Sequence, residues 1–151
     1  MPEIDMPDIE LSDDPSRLDL ARIHGWLASS YWTPGVARAQ VERQIAGSHC
    51  LGAYLPDGTQ VGFARVISDR ASFAWLADVW VDAPARGQGL GRRMVSWFLD
   101  NPDYGDIRRF MLATRDAHGV YARLGFDPLM RPDRLMERLS GPFAAVLQTD
   151  S

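Results

Sequence analysis

The chain is short of cysteine, of long apolar runs and of net positive charge, and each shortage closes off a class of protein. Its one thiol, Cys50, rules out an intrachain disulfide. His49 stands beside it, but neither residue has a Cys-x-x-Cys or His-x-x-x-His partner, so no metal is expected and Cys50 reads as a small core hydrophobe. No apolar run approaches the roughly 18 residues that a membrane-spanning helix needs. The acidic segment Met1 to Asp14 has no apolar centre, so no secretory leader is expected and a cytoplasmic location follows. A formal charge of -4 argues against nucleic acid or an anionic membrane as a general partner.

What is present fits one domain over residues 1–151, with loose ends at about 1–7 and 141–151. With 46% hydrophobic residues, ten prolines and thirteen glycines, a chain of 151 residues can bury one core and carry many turns. Ile9 and Leu11 alternate with polar neighbours as a short first strand. Leu18, Leu20, Ile23, Trp26 and Leu27 mark a helix from about Ser16 to Ala28, with Pro15 at its start, and Val36 to Ile45 a second. His49 to Leu55 and Gln60 to Ile67 pair as a hairpin about Asp57-Gly58, and Ser72 to Val81 joins them as a third antiparallel strand. Ile107 to Thr114 reads as a further strand and Ala117 to Leu124 as a short helix stopped by Gly125. Within Met130 to Leu139, alternation of Leu135, Glu137 and Leu139 against Met136 and Arg138 predicts one last strand. The tail Phe143 to Leu147 is expected to pack weakly or fray.

One stretch organises the rest: Val79 to Leu99. An apolar strand ending at Val81 breaks at Asp82-Ala83-Pro84. Gly87, Gly89 and Gly91 then alternate with other residues beside Arg86, Arg92 and Arg93. Leu90, Met94 and Phe98 recur on one face of a helix, with Val95 and Leu99 beside them. Free amides at a helix N-terminus, missing Cβ atoms and guanidinium groups together suit a phosphate. The dinucleotide pattern G-x-G-x-x-G is not met, and no Gly-Lys-Ser/Thr follows as a P-loop requires.

Arg86-Gly87-Gln88-Gly89-Leu90-Gly91 resembles the acyl-CoA binding motif, [Q/R]-x-x-G-x-[G/A] after a strand, of the GCN5-related N-acetyltransferase (GNAT) superfamily. Downstream, Leu112-Ala113-Thr114, Ala117, Tyr121 and Leu124-Gly125-Phe126 resemble its strand, helix and Y-x-x-[LK]-G-F signature. The resemblance implies an α/β fold (α+β in some schemes): a mixed, mostly antiparallel central sheet flanked by helices, with a splay between strands 4 and 5. It implies acetyl-CoA as co-substrate, its pantetheine arm against the strand backbone at Val79, Trp80 and Val81 and its pyrophosphate on amides from Gln88 to Arg92. Arg86 either adds charge at the phosphates or is an ordinary exposed arginine beside a turn. Thr114 stands where many relatives have asparagine and keeps at most part of that contact. Tyr31 and Trp32, in the first inter-helix loop, either line an acceptor groove or cover the edge of the core.

The implied reaction joins a thioester to an amine. An alkylamine with a pKa of about 10.4 is nearly all charged at neutral pH, so it must lose a proton, and the departing thiolate must gain one. By resemblance Tyr121 is the proton donor. Asp78 is the base candidate, as the only acid inside strand 4, but regular alternation groups it with Trp80, whereas the site-facing phase by resemblance is Trp75, Ala77, Val79 and Val81. Either a bulge rotates Asp78 inward, or a water-linked base comes from Asp69, Asp116 or His118. The expected function is acetyl transfer to a primary amine of a small molecule or protein. The alternatives are a CoA-binding regulatory domain, a binder of another phosphorylated ligand, and an interaction module. A homodimer is expected from family habit.

Overall fold

Alternating apolar side chains put five strands into one sheet, in spatial order β1-β2-β3-β4-β5. They are Glu10–Ser12, His49–Tyr54, Gln60–Ser68, Phe73–Val81 and Arg109–Met111. The computed structural model describes residues 8–149, so the loose end expected over residues 1–7 lies outside the described residues. The first four strands pair antiparallel, and β5 runs parallel to β4. This is the mixed, mostly antiparallel sheet that the motifs imply. The β2–β3 turn closes through Leu55 N–H to Thr59 O at 2.9 Å and through the Asp57 carboxylate, which takes the Thr59 N–H at 2.9 Å.

Helices cover both faces. On one, α1 (Leu20–Ala28) and α2 (Arg38–Ala46) bury Ile23, Leu27 and Val41 with Cys50 and Phe63 of the sheet. On the other, α3 (Leu90–Leu99) buries Leu90, Met94, Val95 and Phe98 against Leu51, Ala64, Val66, Ala74 and Leu76. Four such side chains, each giving about 1.5–3 kcal/mol when fully buried, fix α3 to the sheet. The first helix begins later than its apolar spacing suggests. Pro15–Arg17 forms a separate 3₁₀ turn capped by Asp14, and Asp19 then caps α1 by accepting the Arg22 N–H at 3.1 Å.

Two features of β4 shape everything near its end. Its pairing with β5 covers only Phe73, Ala74 and Trp75, opposite Arg109, Phe110 and Met111, after which the strands part. For that reason β5 is shorter than the span Ile107 to Thr114 expected of it. The register against β3 also slips between Phe63 and Arg65, whose partners are Trp80 and Ala77. Ala74 and Leu76 lie in the α3-side cluster and so do Val79 and Val81, so the two-residue alternation shifts by one between them. Asp78 is the extra residue of this bulge, held at φ 54°.

The C-terminal part departs from expectation. No strand forms between Met130 and Leu139. Pro132–Arg134 makes a 3₁₀ turn, with Asp133 bonded by Arg131 at 3.0 and 2.7 Å, and Pro132 has no N–H for a sheet ladder. Met130 is 93% and Met136 98% exposed. The tail, expected to pack weakly or fray, forms α5 (Gly141–Thr149), which buries no residue and leaves Phe143 and Leu147 exposed. Helix α4 (His118–Ala122) precedes this part and follows β5, and its Tyr121, with Phe126 just beyond it, packs against the α3-side core.

Candidate active site

The glycine segment turns the chain from β4 into α3 through two left-handed residues, Gly87 at φ 81° and Gly89 at φ 80°. Only glycine takes these angles without strain. Gly89 is the N-cap and offers no side chain, and the first backbone bond of the helix runs from Arg93 N–H to Gly89 O at 3.0 Å. The amides of Leu90, Gly91 and Arg92 therefore have no partner within the helix and lie at the positive end of its dipole. Arg92 lies close to this turn: a Cβ added at Gly89 would sit 3.1 Å from its Nη2. Arg86 is turned back, donating Nε–H to Val81 O at 2.8 Å with its guanidinium 5.4 Å from the Trp80 ring centre. Of the arginines around the loop, Arg92 holds its charge against Gly89 while Arg86 braces the strand end.

Where β4 and β5 part, a cavity of about 500 Å³ opens. Its floor is Trp75, Ala77, Asp78 and Val79 of β4, with Leu112, Ala113 and Thr114 beyond β5 on the other side. Tyr31 and Trp32 line it from the inter-helix loop, and Tyr121 from α4. Val81 and Trp80 stand outside this lining. Val81 lies against Gly91, and Trp80 packs 6.0 Å from Trp32 on the α1–α2 face. Among the described residues no group of three His, Cys, Asp or Glu could hold a metal ion. A wider, open depression lies between Ile9, Leu11, Arg93 and Trp97, and none of Arg86 to Gly91 or Leu112 to Phe126 lines it.

The bulge brings Asp78 into this lining, and its carboxylate is clasped. Trp32 Nε1–H donates to Oδ1 at 2.7 Å and Arg65 Nε–H to Oδ2 at 2.6 Å. Asp78 and Arg65 side chains are only 6% and 11% exposed, so each neutralises a charge that could not stay there alone. Arg65 also donates Nη1–H to Ser48 Oγ at 3.0 Å, and Ser48 in turn bonds Gln44 O at 2.6 Å. Of the other base candidates, Asp116 lines the cavity, while Asp69 is used by its own turn. Asp69 Oδ1 accepts amides of Ala71, Ser72 and Phe73 at 2.8–3.2 Å. His118 is exposed and outside the lining.

Tyr121 is fixed by its ring, which meets Phe126 edge-on at 6.0 Å. Burial, and then the neighbouring Tyr31, pushes its hydroxyl above the usual tyrosine pKa, so the group stays a proton donor. Tyr31 is itself held, accepting the Arg115 N–H at 3.2 Å under a guanidinium 3.8 Å from its ring centre. Thr114 Oγ accepts the Ala117 N–H at 3.1 Å, so its hydroxyl serves the turn into α4. Sequence reasoning missed Arg65, Gln44 and Phe143, which also line the cavity. Arg65 had a signal: an arginine in the apolar run Val61 to Ile67 needs a buried partner, and Asp78 in the next strand has the same need.

A sheet whose fourth and fifth strands part beside a glycine-built helix N-terminus is the architecture that the two motifs imply. The model of the acetyltransferase (GNAT) family matches residues 15–126, and the chain belongs to that family. It is similar to a solved candidate acetyltransferase of the GNAT family from Xanthomonas campestris pv. campestris, at 45% identity over 90% of this chain and 96% of that one, with a TM-score of 0.86. A candidate acetyltransferase of Gibberella zeae is 26% identical over 137 residues, 77% of each chain. A solved candidate acetyltransferase from Deinococcus radiodurans R1 shares the fold at 22% identity, covering 95% of both chains, with a TM-score of 0.69.

Proposed function

We propose that this protein transfers an acetyl group from acetyl-CoA to a primary amine. The observation that carries the proposal is the parting of β4 from β5 after Trp75, next to the open amides of the α3 N-terminus. Acetyl-CoA brings the acyl group as an activated thioester. The residues at hand suit it: outward amides from Gln88 to Arg92 and the Arg92 guanidinium for the pyrophosphate, and β4 backbone around Val79 and Val81, beyond the reach of β5, for an extended arm, with the Val81 carbonyl held by Arg86.

Asp78 takes the ammonium of the acceptor, since each of its oxygens bonds one protein donor and retains a further lone pair. One proton leaves the ammonium through this carboxylate and water, and the neutral nitrogen bonds the acyl carbon as the C–S bond breaks. Tyr121 gives its proton to the sulfur, and the second proton of the nitrogen passes to solvent and restores Tyr121. Tyr31 and Trp32 hold the acceptor in place by their ring faces. Calorimetric titration with acetyl-CoA and with free CoA, followed by thiol release on adding amines, tests this. Micromolar to sub-millimolar binding and amine-dependent release are expected. Absence of binding below millimolar concentration sinks the proposal, and binding without turnover of any amine supports a regulatory domain instead. The chain contains no lysine, so acetylation of its own side-chain amines adds no background.

A further inference from the structure

At the floor of the cavity a buried arginine keeps a donor with nothing to bond. Arg65 is 9% exposed, yet it lines the cavity. Its Nε and Nη1 bond Asp78 and Ser48, and its Nη2 has no hydrogen-bond partner among the described residues. Among the described residues the side-chain atoms that are sealed in without a partner are Gln44 Oε1, Tyr54 OH and Trp80 Nε1, so Arg65 Nη2 is not closed off by protein. Five guanidinium N–H groups are not satisfied by one carboxylate oxygen and one hydroxyl.

We propose that the acceptor is a zwitterion, an α-amino acid with an apolar or aromatic side chain, and that Arg65 selects it; this rests on the acyl-transfer reading above. The acceptor carboxylate takes Arg65 Nη2, and the ammonium takes the Asp78 carboxylate. The two charged groups of an α-amino acid share one carbon, and the Arg65–Asp78 pair presents opposite charges in contact at 2.6 Å, so the two pairs match in span. The side chain lies among Trp75, Tyr31 and Phe143. A polycation is disfavoured because its remaining charges meet Arg65. An amide in place of the carboxylate, as in a peptide N-terminus, brings no charge to the guanidinium.

The test measures thiol release from acetyl-CoA with the apolar and aromatic L-amino acids, and with phenethylamine, isoamylamine and phenylalaninamide as partners lacking the carboxylate. An amino acid is expected to exceed its decarboxylated amine in kcat/KM by on the order of 10²-fold, because the amine leaves the site's donor unpaired. In Arg65→Lys, which keeps a positive charge beside Asp78, that ratio should collapse towards one, a change that loss of fold alone would not produce. Equal or better turnover of the decarboxylated amines overturns the inference and leaves acyl transfer standing. So does a ratio unchanged in Arg65→Lys, and so does intact acetyl-CoA binding with no amino acid turned over. Loss of acetyl-CoA binding in the parent protein overturns both.

Discussion

At the scale of single residues the commitment to mechanism is sharpest at Tyr121. Its ring is fixed by Phe126 and its hydroxyl lies where burial and Tyr31 disfavour the phenolate. Tyr121→Phe keeps the ring and removes the proton. Turnover should fall by about 10²–10⁴-fold with little change in acetyl-CoA Kd. The pH profile gives an independent readout. A phenol donates only below its pKa, and raising that pKa extends the active form upward, so any alkaline limb due to Tyr121 should lie above the ordinary value of about 10 and vanish in Tyr121→Phe. An unchanged kcat, with chemistry shown to be rate-limiting, removes Tyr121 from the reaction. Thiol assays are feasible because Cys50 is no competitor: burial pushes its pKa up to about 11.

At the scale of elements, the turn from β4 into α3 is where backbone conformation and binding meet. Gly89→Ala should cost about 1–2 kcal/mol for the left-handed angle. The new Cβ also presses on Arg92, 3.1 Å away, so the Kd for CoA should weaken by at least about tenfold. Thermal melting beside titration separates the two effects, and an unchanged Kd denies the turn its role. This turn was legible in the sequence because glycine spacing states backbone angles almost directly. The β4 bulge was not. A two-residue alternation has no place for one extra residue, so Asp78 fell on the phase of Trp80, and a bulge entered only as the alternative to a water-linked base from another element. The clasp that holds it, Arg65 and Trp32, comes from 13 and 46 residues away in the chain, beyond any local pattern. The short β5 was hidden for a similar reason: its apolar run continues past Met111, but the partner strand has already turned away.

At the scale of the whole molecule, the segment from Leu129 to Leu147 contributes nothing to the two core clusters and reaches the cavity through Phe143. Leu129, Met130, Leu135, Met136, Leu139, Phe143 and Leu147 all rank as exposed, although this stretch carries the alternation of a strand. Leu135 has extended angles, φ -107° and ψ 138°, but no strand beside it, and β5 ends the sheet with one edge open. Burying five to seven such side chains yields about 1.5–3 kcal/mol each, enough to meet an association penalty of about 4–15 kcal/mol when two arms exchange. A second copy of the chain supplies both what the arm lacks and what the edge lacks, so the expected occupant is the same arm of a two-fold partner. Light scattering across protein concentration should therefore give a dimer for the parent chain. Met130→Asp with Met136→Asp should give a monomer with an unchanged circular dichroism spectrum, since the two side chains touch little within one chain at 93% and 98% exposure. A parent chain that stays monomeric up to high micromolar concentration refutes the exchange. A doubly substituted chain that stays dimeric moves the contact away from this arm.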